Sequence, residues 1–217
     1  MKVWKTLVMP LVACCVLAIP QVHADAPAGM EKVKVKRLDT VYKKPDVDWS
    51  RYAGIYVEPL DLTGVEIKYP RDTHKRDQKP LSEKGIAQLK ELYQKAFTRE
   101  LSEDGFLVAE PAAKEGALVL KARVLEIAPT YVPDSLMETS GRNRVYAETA
   151  GKMTIQFDFV DGKTGELLVQ ATDKREPTRQ WREINSVQVR SQVNQLMGSW
   201  ARIVRTNIED VIQPQGE

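Results

Sequence analysis

Thiols and imidazoles are nearly absent from this chain. Its 217 residues include two cysteines and two histidines, and Cys14 and Cys15 stand side by side near the start. With no cysteine after position 15, the rest of the chain has no disulfide, no thiolate nucleophile and no cysteine-containing metal site. A zinc pair of histidines is missing, as are a phosphate-binding glycine loop, a dinucleotide fingerprint and a Gly-x-Ser-x-Gly elbow. An excess of one charge is lacking too, because 32 Lys and Arg face 30 Asp and Glu. That balance disfavours a nucleic-acid partner, since phosphate recognition leaves a basic excess. The longest apolar run, Thr6 to Ile19, falls short of the ~20 residues that span a bilayer and carries Pro10.

That run has another reading. Lys2 and Lys5 precede it, and Pro20 and the small-residue pattern Val22-His23-Ala24 follow it, the layout of a secretory signal peptide cut before Asp25. Removing residues 1–24 takes away two lysines and no acid, so the mature chain is electrically neutral. A periplasmic location follows. Leu11-Val12-Ala13-Cys14 offers a rival processing site, at which Cys14 would be the acylated first residue. It would leave the apolar Val16 to Ile19 at the head of the mature protein.

The mature sequence reads as a mobile basic arm over 25–37, one globular domain over 38–212 and a tail over 213–217. Lys32, Lys34, Lys36, Arg37, Lys43 and Lys44 face only Glu31 and Asp39 between Glu31 and Lys44. They could hold an anionic envelope surface, or serve as a solvated lead-in in which Val33 and Val35 alternate as in a short edge strand. A first strand is expected over Ala53 to Leu60, ended at Pro59, with Trp49 and Tyr52 as lids on the core. Tyr69 to Pro80 is a polar excursion that holds His74, the sole mature imidazole, among charges of both signs.

Ser82 can cap a helix from Glu83 to about Asp104, with Ile86, Leu89, Tyr93, Phe97 and Leu101 at the 3.6 period and Gly105 as its stop. Phe106 to Ala109 reads as a short strand. Ala117 to Ala128 is a long one, with Leu118, Leu120, Ala122 and Val124 on one face and Lys121 and Arg123 on the other. Pro129 to Val145 has no period and is read as a loop. Lys152 to Val160 alternates Met153, Ile155, Phe157 and Phe159 against Thr154, Gln156 and Asp158. Asp161 to Gly165 is a hairpin turn, and Glu166 to Thr172 returns as the partner strand. Asp158, Asp161 and Asp173 lack the ligand ladder of a calcium loop. The last helix starts at Asn185 or Ser186 and runs to about Ile212 through Val189, Val193, Leu196, Met197, Trp200, Val204, Ile208 and Val211.

Three stretches carry a family resemblance. Thr40 to Leu62 (TVYKKPDVDWSRYAGIYVEPLDL), Lys152 to Glu176 (KMTIQFDFVDGKTGELLVQATDKRE) and the Ser199-Trp200-Ala201-Arg202 segment resemble, in that order, the opening strand, hairpin and last helix of bacterial exported proteins and lipoproteins catalogued as domain of unknown function 3313. The resemblance covers most of residues 38–212 and implies no catalytic residues.

The expected fold is therefore a single α/β domain of the α+β type: a mixed, mostly antiparallel sheet of about five strands with two long amphipathic helices on one face. No catalytic, cofactor-binding or metal-ligating residue is assigned, and no cofactor. The functional expectation is a non-enzymatic envelope protein that binds or helps assemble an envelope component, its partner a protein or an anionic surface. The alternative is a small-ligand carrier or a carboxylate-dependent hydrolase whose site is formed by the 69–80 and 129–145 loops, lined by two convergent acids or by apolar side chains.

Overall fold

The protein is described here from a computed structural model that covers residues 26–71, 78, 80–103, 105, 107, 116–130, 146–147, 149–178, 182–183 and 186–212. The strands are β1 (Glu31–Val33), β2 (Thr40–Lys43), β3 (Ile55–Val57), β4 (Glu66–Ile67), β5 (Leu118–Pro129), β6 (Tyr146–Ala147), β7 (Gly151–Asp161), β8 (Leu167–Arg175) and β9 (Arg182–Glu183). The helices are α1 (Glu83–Glu103) and α2 (Ser186–Ile212), with a 3₁₀ turn at Trp49–Arg51. The main sheet runs β1-β2-β8-β7-β5-β3, with β4 also on β5, while β6 and β9 pair separately.

The alternation in β5 and β7 places the sheet. Ala122 pairs with Phe157 and Phe157 with Ala171, so their rows form one face, on which Leu120, Val124, Ile155 and Phe157 are fully buried. Both helices pack on that face: Tyr93, Phe97 and Leu101 of α1 and Met197 and Trp200 of α2 join the same core. Burying an aromatic or aliphatic side chain there contributes roughly 1.5–3 kcal/mol each. The opposite face is polar. Lys121, Asp158 and Gln170 lie in one cross-strand row and Arg123, Gln156 and Thr172 in the next. On it Glu126 is held by Lys174 (2.7 Å) and Lys68 (2.5 Å), and these lysines, Lys174 foremost, keep its carboxyl below the usual range.

The five strands expected become seven in the main sheet, because short pieces add to its edges. The segment read as a basic arm over 25–37 contributes β1, which pairs antiparallel with β2, and its Val33 and Val35 pack on the core. Beyond it Arg37 turns the chain at φ 66°, its carbonyl accepting from Arg175 Nη2. The strand expected over Ala53 to Leu60 is regular only over Ile55–Val57. It and β4 pair parallel with β5. Of Phe106 to Ala109, Leu107 alone is described and bridges Ile55.

Helix α1 begins where Ser82 Oγ accepts from Gly85 N (3.1 Å) and stops at Gly105, φ 73°, a conformation that glycine adopts without strain. Tyr93 stacks on Phe97 with centroids 4.4 Å apart. Its hydroxyl is buried without a hydrogen-bond partner among the described residues, and that burial, with Glu58 nearby, pushes its ionisation far up.

Candidate functional site

The two helices run parallel. Arg190 Nη2 lies 3.2 Å from Glu91 and Arg205 Nη1 2.9 Å from Glu103, so both helices start at the same end of the molecule. Strand β5 ends there and β7 begins there. Between these four ends lies a cavity of about 410 Å³, whose walls include Leu89 and Leu92 of α1, Ile127 of β5, Met153 of β7, and Val193 and Leu196 of α2. Val189 lines its mouth and is 37% exposed.

Local backbone chemistry shapes the rim. Gly151 sits at φ 133°, and a Cβ there would lie 2.3 Å from the Ala128 carbonyl oxygen, so β5 and β7 approach in a way only glycine permits. Ala150 N donates to Gln192 Oε1 (2.5 Å) and Gly151 N to Thr149 Oγ1 (2.8 Å), which fixes the crossing to α2. Among the described residues the lining has three polar side chains: Gln88, Lys152 and Arg190. Lys152 lies 3.6 Å from Glu176, and both cations are about half exposed. No carboxylate, hydroxyl, thiol or imidazole belongs to this described lining. A second apolar cavity, about 240 Å³, lies under β1 and β2 at the other end, walled by Val33, Trp49, Phe159, Val204 and Ile208.

The buried carboxylates lie elsewhere and hold the fold. Asp161 accepts at Oδ1 from Lys163 N (2.9 Å) and Thr164 N (2.7 Å), and at Oδ2 from Tyr52 Oη (2.8 Å) and Arg51 Nη2. Burial by itself would raise its pKa. The Thr164 N–H and the Tyr52 hydroxyl, with Lys163, outweigh that and hold it well below the usual carboxylate range. Asp173 accepts from Trp200 Nε1 (2.7 Å) and Arg175 Nε (2.5 Å). Glu100 is 3% exposed between the helices, 2.8 Å from Arg99 Nη2 and 3.7 Å from both Arg202 and Arg205.

The three aspartates that a calcium reading would join are thus dispersed. Asp158 is on the polar face, held by Gln156 and Gln170 at 3.0 Å, Asp161 is in the turn, and Asp173 is under Trp200. No group of three metal-ligating side chains occurs among the described residues. His74 and residues 131–145 lie outside the described residues. The basic cluster divides: Lys43 stacks over the Trp49 ring at 5.1 Å and Lys44 pairs with Glu166, while Lys32, Lys34, Lys36 and Arg37 stay exposed. Tyr52 is buried and Trp49 packs on the core, as lids do. Trp200 is fully buried.

The helix periodicity contained a signal for the cavity. The stripe of α2 begins at Val189, about two turns before the core takes it over at Leu196, and this excess lines the mouth. The walls from Ile127 and Met153 carried no such signal, since each also continues an ordinary strand alternation.

A model of one protein family matches residues 27–204. The chain belongs to the family described as Protein of unknown function (DUF3313). No curated protein matches its sequence. Among solved structures, the PelC dodecamer from Paraburkholderia phytofirmans is similar at 14% identity and a TM-score of 0.40, with 76% of this chain and 98% of that one covered. A putative neuraminyllactose-binding hemagglutinin homolog from Helicobacter pylori has 12% identity and a TM-score of 0.34, covering 77% and 92%. A putative lipoprotein from Caulobacter crescentus has 12% identity and a TM-score of 0.33, covering 69% and 90%. No helix among the described residues is long and apolar enough to cross a membrane.

Proposed function

We propose that this is an exported envelope protein that acts by holding another molecule, not by transforming one. Export rests on the leader-like segment over 1–24. The observation that carries the binding reading is the large apolar cavity at the convergence of the helices, whose described lining offers no carboxylate, hydroxyl, thiol or imidazole and only two half-exposed cations at its rim. A site that transforms its substrate needs such groups in contact with the reacting atoms, whereas a site that only binds needs shape, apolar area and a few polar anchors. Asp161, Asp173 and Glu100 support the same reading, because each is committed to donors that join one structural element to another.

The exposed row of Lys32, Lys34, Lys36 and Arg37 supplies a second mode of attachment, electrostatic and weakened by salt. Short-range crosslinking in intact cells, followed by purification, tests the reading. A near-stoichiometric envelope component is the expected product. Recovery of the protein alone, under conditions that trap a known envelope complex, together with turnover of any ester, glycoside or peptide substrate, would overturn it. Reversing Lys34, Lys36 and Arg37 to Glu is expected to release the protein from envelope membranes at moderate salt, and undiminished retention would eliminate the basic row as an anchor.

A further inference from the structure

We infer that the cavity between the first turns of α1 and α2 is a binding site for a single-chain amphiphile with an anionic head, a fatty-acid carboxylate or a lysophospholipid phosphate. The inference rests on the binding reading above and names its ligand class. Its first ground is the cavity itself. At about 410 Å³ it lies within the roughly 300–1,000 Å³ usual for ligand pockets, and far exceeds the voids of a close-packed interior. Water is a poor occupant of its apolar part, since an ordered water needs 2–4 polar partners. Leu89, Leu92, Ile127, Met153 and Leu196 offer none.

The second ground is where the charge lies. The floor is apolar and the two charged side chains of the described lining, Lys152 and Arg190, are both cationic. They come from two different elements, β7 and α2. Their present partners, Glu176 and Glu91, are held by pairs at 3.6 Å and 3.2 Å with half-exposed cations. Such surface pairs are weak, so an anionic head can take their place without loss of fold. A neutral hydrocarbon would leave the cations unused, and a cationic head would meet them with like charge. Exposed Val189 continues the apolar surface outward, where the part of a chain nearest its head would lie.

The test uses the full mature protein, stripped of lipid, with 11-(dansylamino)undecanoic acid as fluorescent probe. Saturable, blue-shifted enhancement is expected, reversed by dodecanoate. Affinity should tighten about fourfold for each methylene added from decanoate to dodecanoate, as the transfer of a methylene from water requires. Dodecylamine should bind at least tenfold more weakly than dodecanoate. The double variant Lys152→Glu, Arg190→Glu, at exposed positions that do not enter the core, should lose about tenfold for dodecanoate and narrow or invert the preference over dodecylamine. Val193→Trp, which fills the cavity, should abolish probe enhancement, with far-ultraviolet dichroism confirming that each variant is folded. Lysophosphatidylglycerol runs beside dodecanoate, and whichever competes more tightly identifies the source of the head. A flat chain-length series, equal binding of dodecylamine, or unaltered affinity in the double variant would each overturn the inference. If no amphiphile displaces the probe while an envelope protein still crosslinks in cells, the inference fails and the binding reading stands.

Discussion

Asp161 makes a divisible prediction, because its two oxygens serve different parts of the fold. Oδ1 holds the backbone of the β7–β8 turn through Lys163 N and Thr164 N, and Oδ2 holds Tyr52 and Arg51 at the 3₁₀ turn. Asp161→Asn keeps a carbonyl oxygen for the turn but presents an amide to Tyr52 and Arg51. The Tyr52 hydroxyl can rotate to accept from that amide, whereas Arg51 cannot. Arg51 is about half exposed, so its loss is partly screened by water. The expected cost is about 1–2 kcal/mol for Asn, and about 3 kcal/mol for Asp161→Ala, which abandons both halves and leaves the Tyr52 hydroxyl and two turn N–H groups without their acceptor. The pH dependence separates the charge from the shape. The folded carboxyl titrates below its ordinary value, so its contribution is fully present above about pH 4. It is lost as the pH falls further, because the unfolded chain takes up the proton first. Urea unfolding followed by tryptophan fluorescence, at several values between pH 7 and pH 2.5, measures both effects. The Asn variant should match the wild type more closely at the acid end than at neutral pH. Equal stability of Asn and wild type at neutral pH, or an unchanged gap across the acid range, would refute the assignment of Oδ2 as a charged tether.

Two further outcomes follow from buried contacts. Trp200→Phe removes the 2.7 Å donor to Asp173 and leaves a buried carboxylate with Arg175, so the urea midpoint should fall by the equivalent of about 1–3 kcal/mol; the wild-type indole, fully buried, should be shielded from acrylamide. Gly151→Ala forces a methyl to within 2.3 Å of the Ala128 carbonyl at a strained φ, which should cost about 2–4 kcal/mol, and a thermal melt within 1 °C of wild type would contradict that geometry.

The parts of this fold that were legible in the sequence are those with a sustained period. Alternation in β5 and β7 and the stripes of α1 and α2 place Leu120, Val124, Ile155, Phe97 and Trp200 in one core because each element is long enough to show its period several times. Three-residue β1 and two-residue β4 are too short to establish a period of two, and the partner of β4 is β5, distant in sequence. Parallel pairing of β3 on β5 was unreadable for the same reason. Arg190, Arg202 and Arg205 stand outside the apolar stripe of α2. They face Glu91, Glu100 and Glu103, a fact that depends on α1 and α2 lying parallel. The cavity was half legible: the apolar excess at Val189 is in the helix pattern, but the gap it borders exists only once Met153 and Ile127 are placed across from it.

The pairing of β2 with β8 has a consequence for the order in which the chain can fold. Asp39 and Lys174, which join across that seam through Oδ2 and N at 2.8 Å, are 135 positions apart, and α2, which covers the core, comes later still. A chain that emerges with its N-terminus first cannot close its sheet until nearly all of it is available, and such distant contacts slow folding. The middle hairpin of β7 and β8 can form early and alone; the N-terminal strands must wait for it. That delay makes the docking of residues 31–43 beside β8 one of the last events of folding.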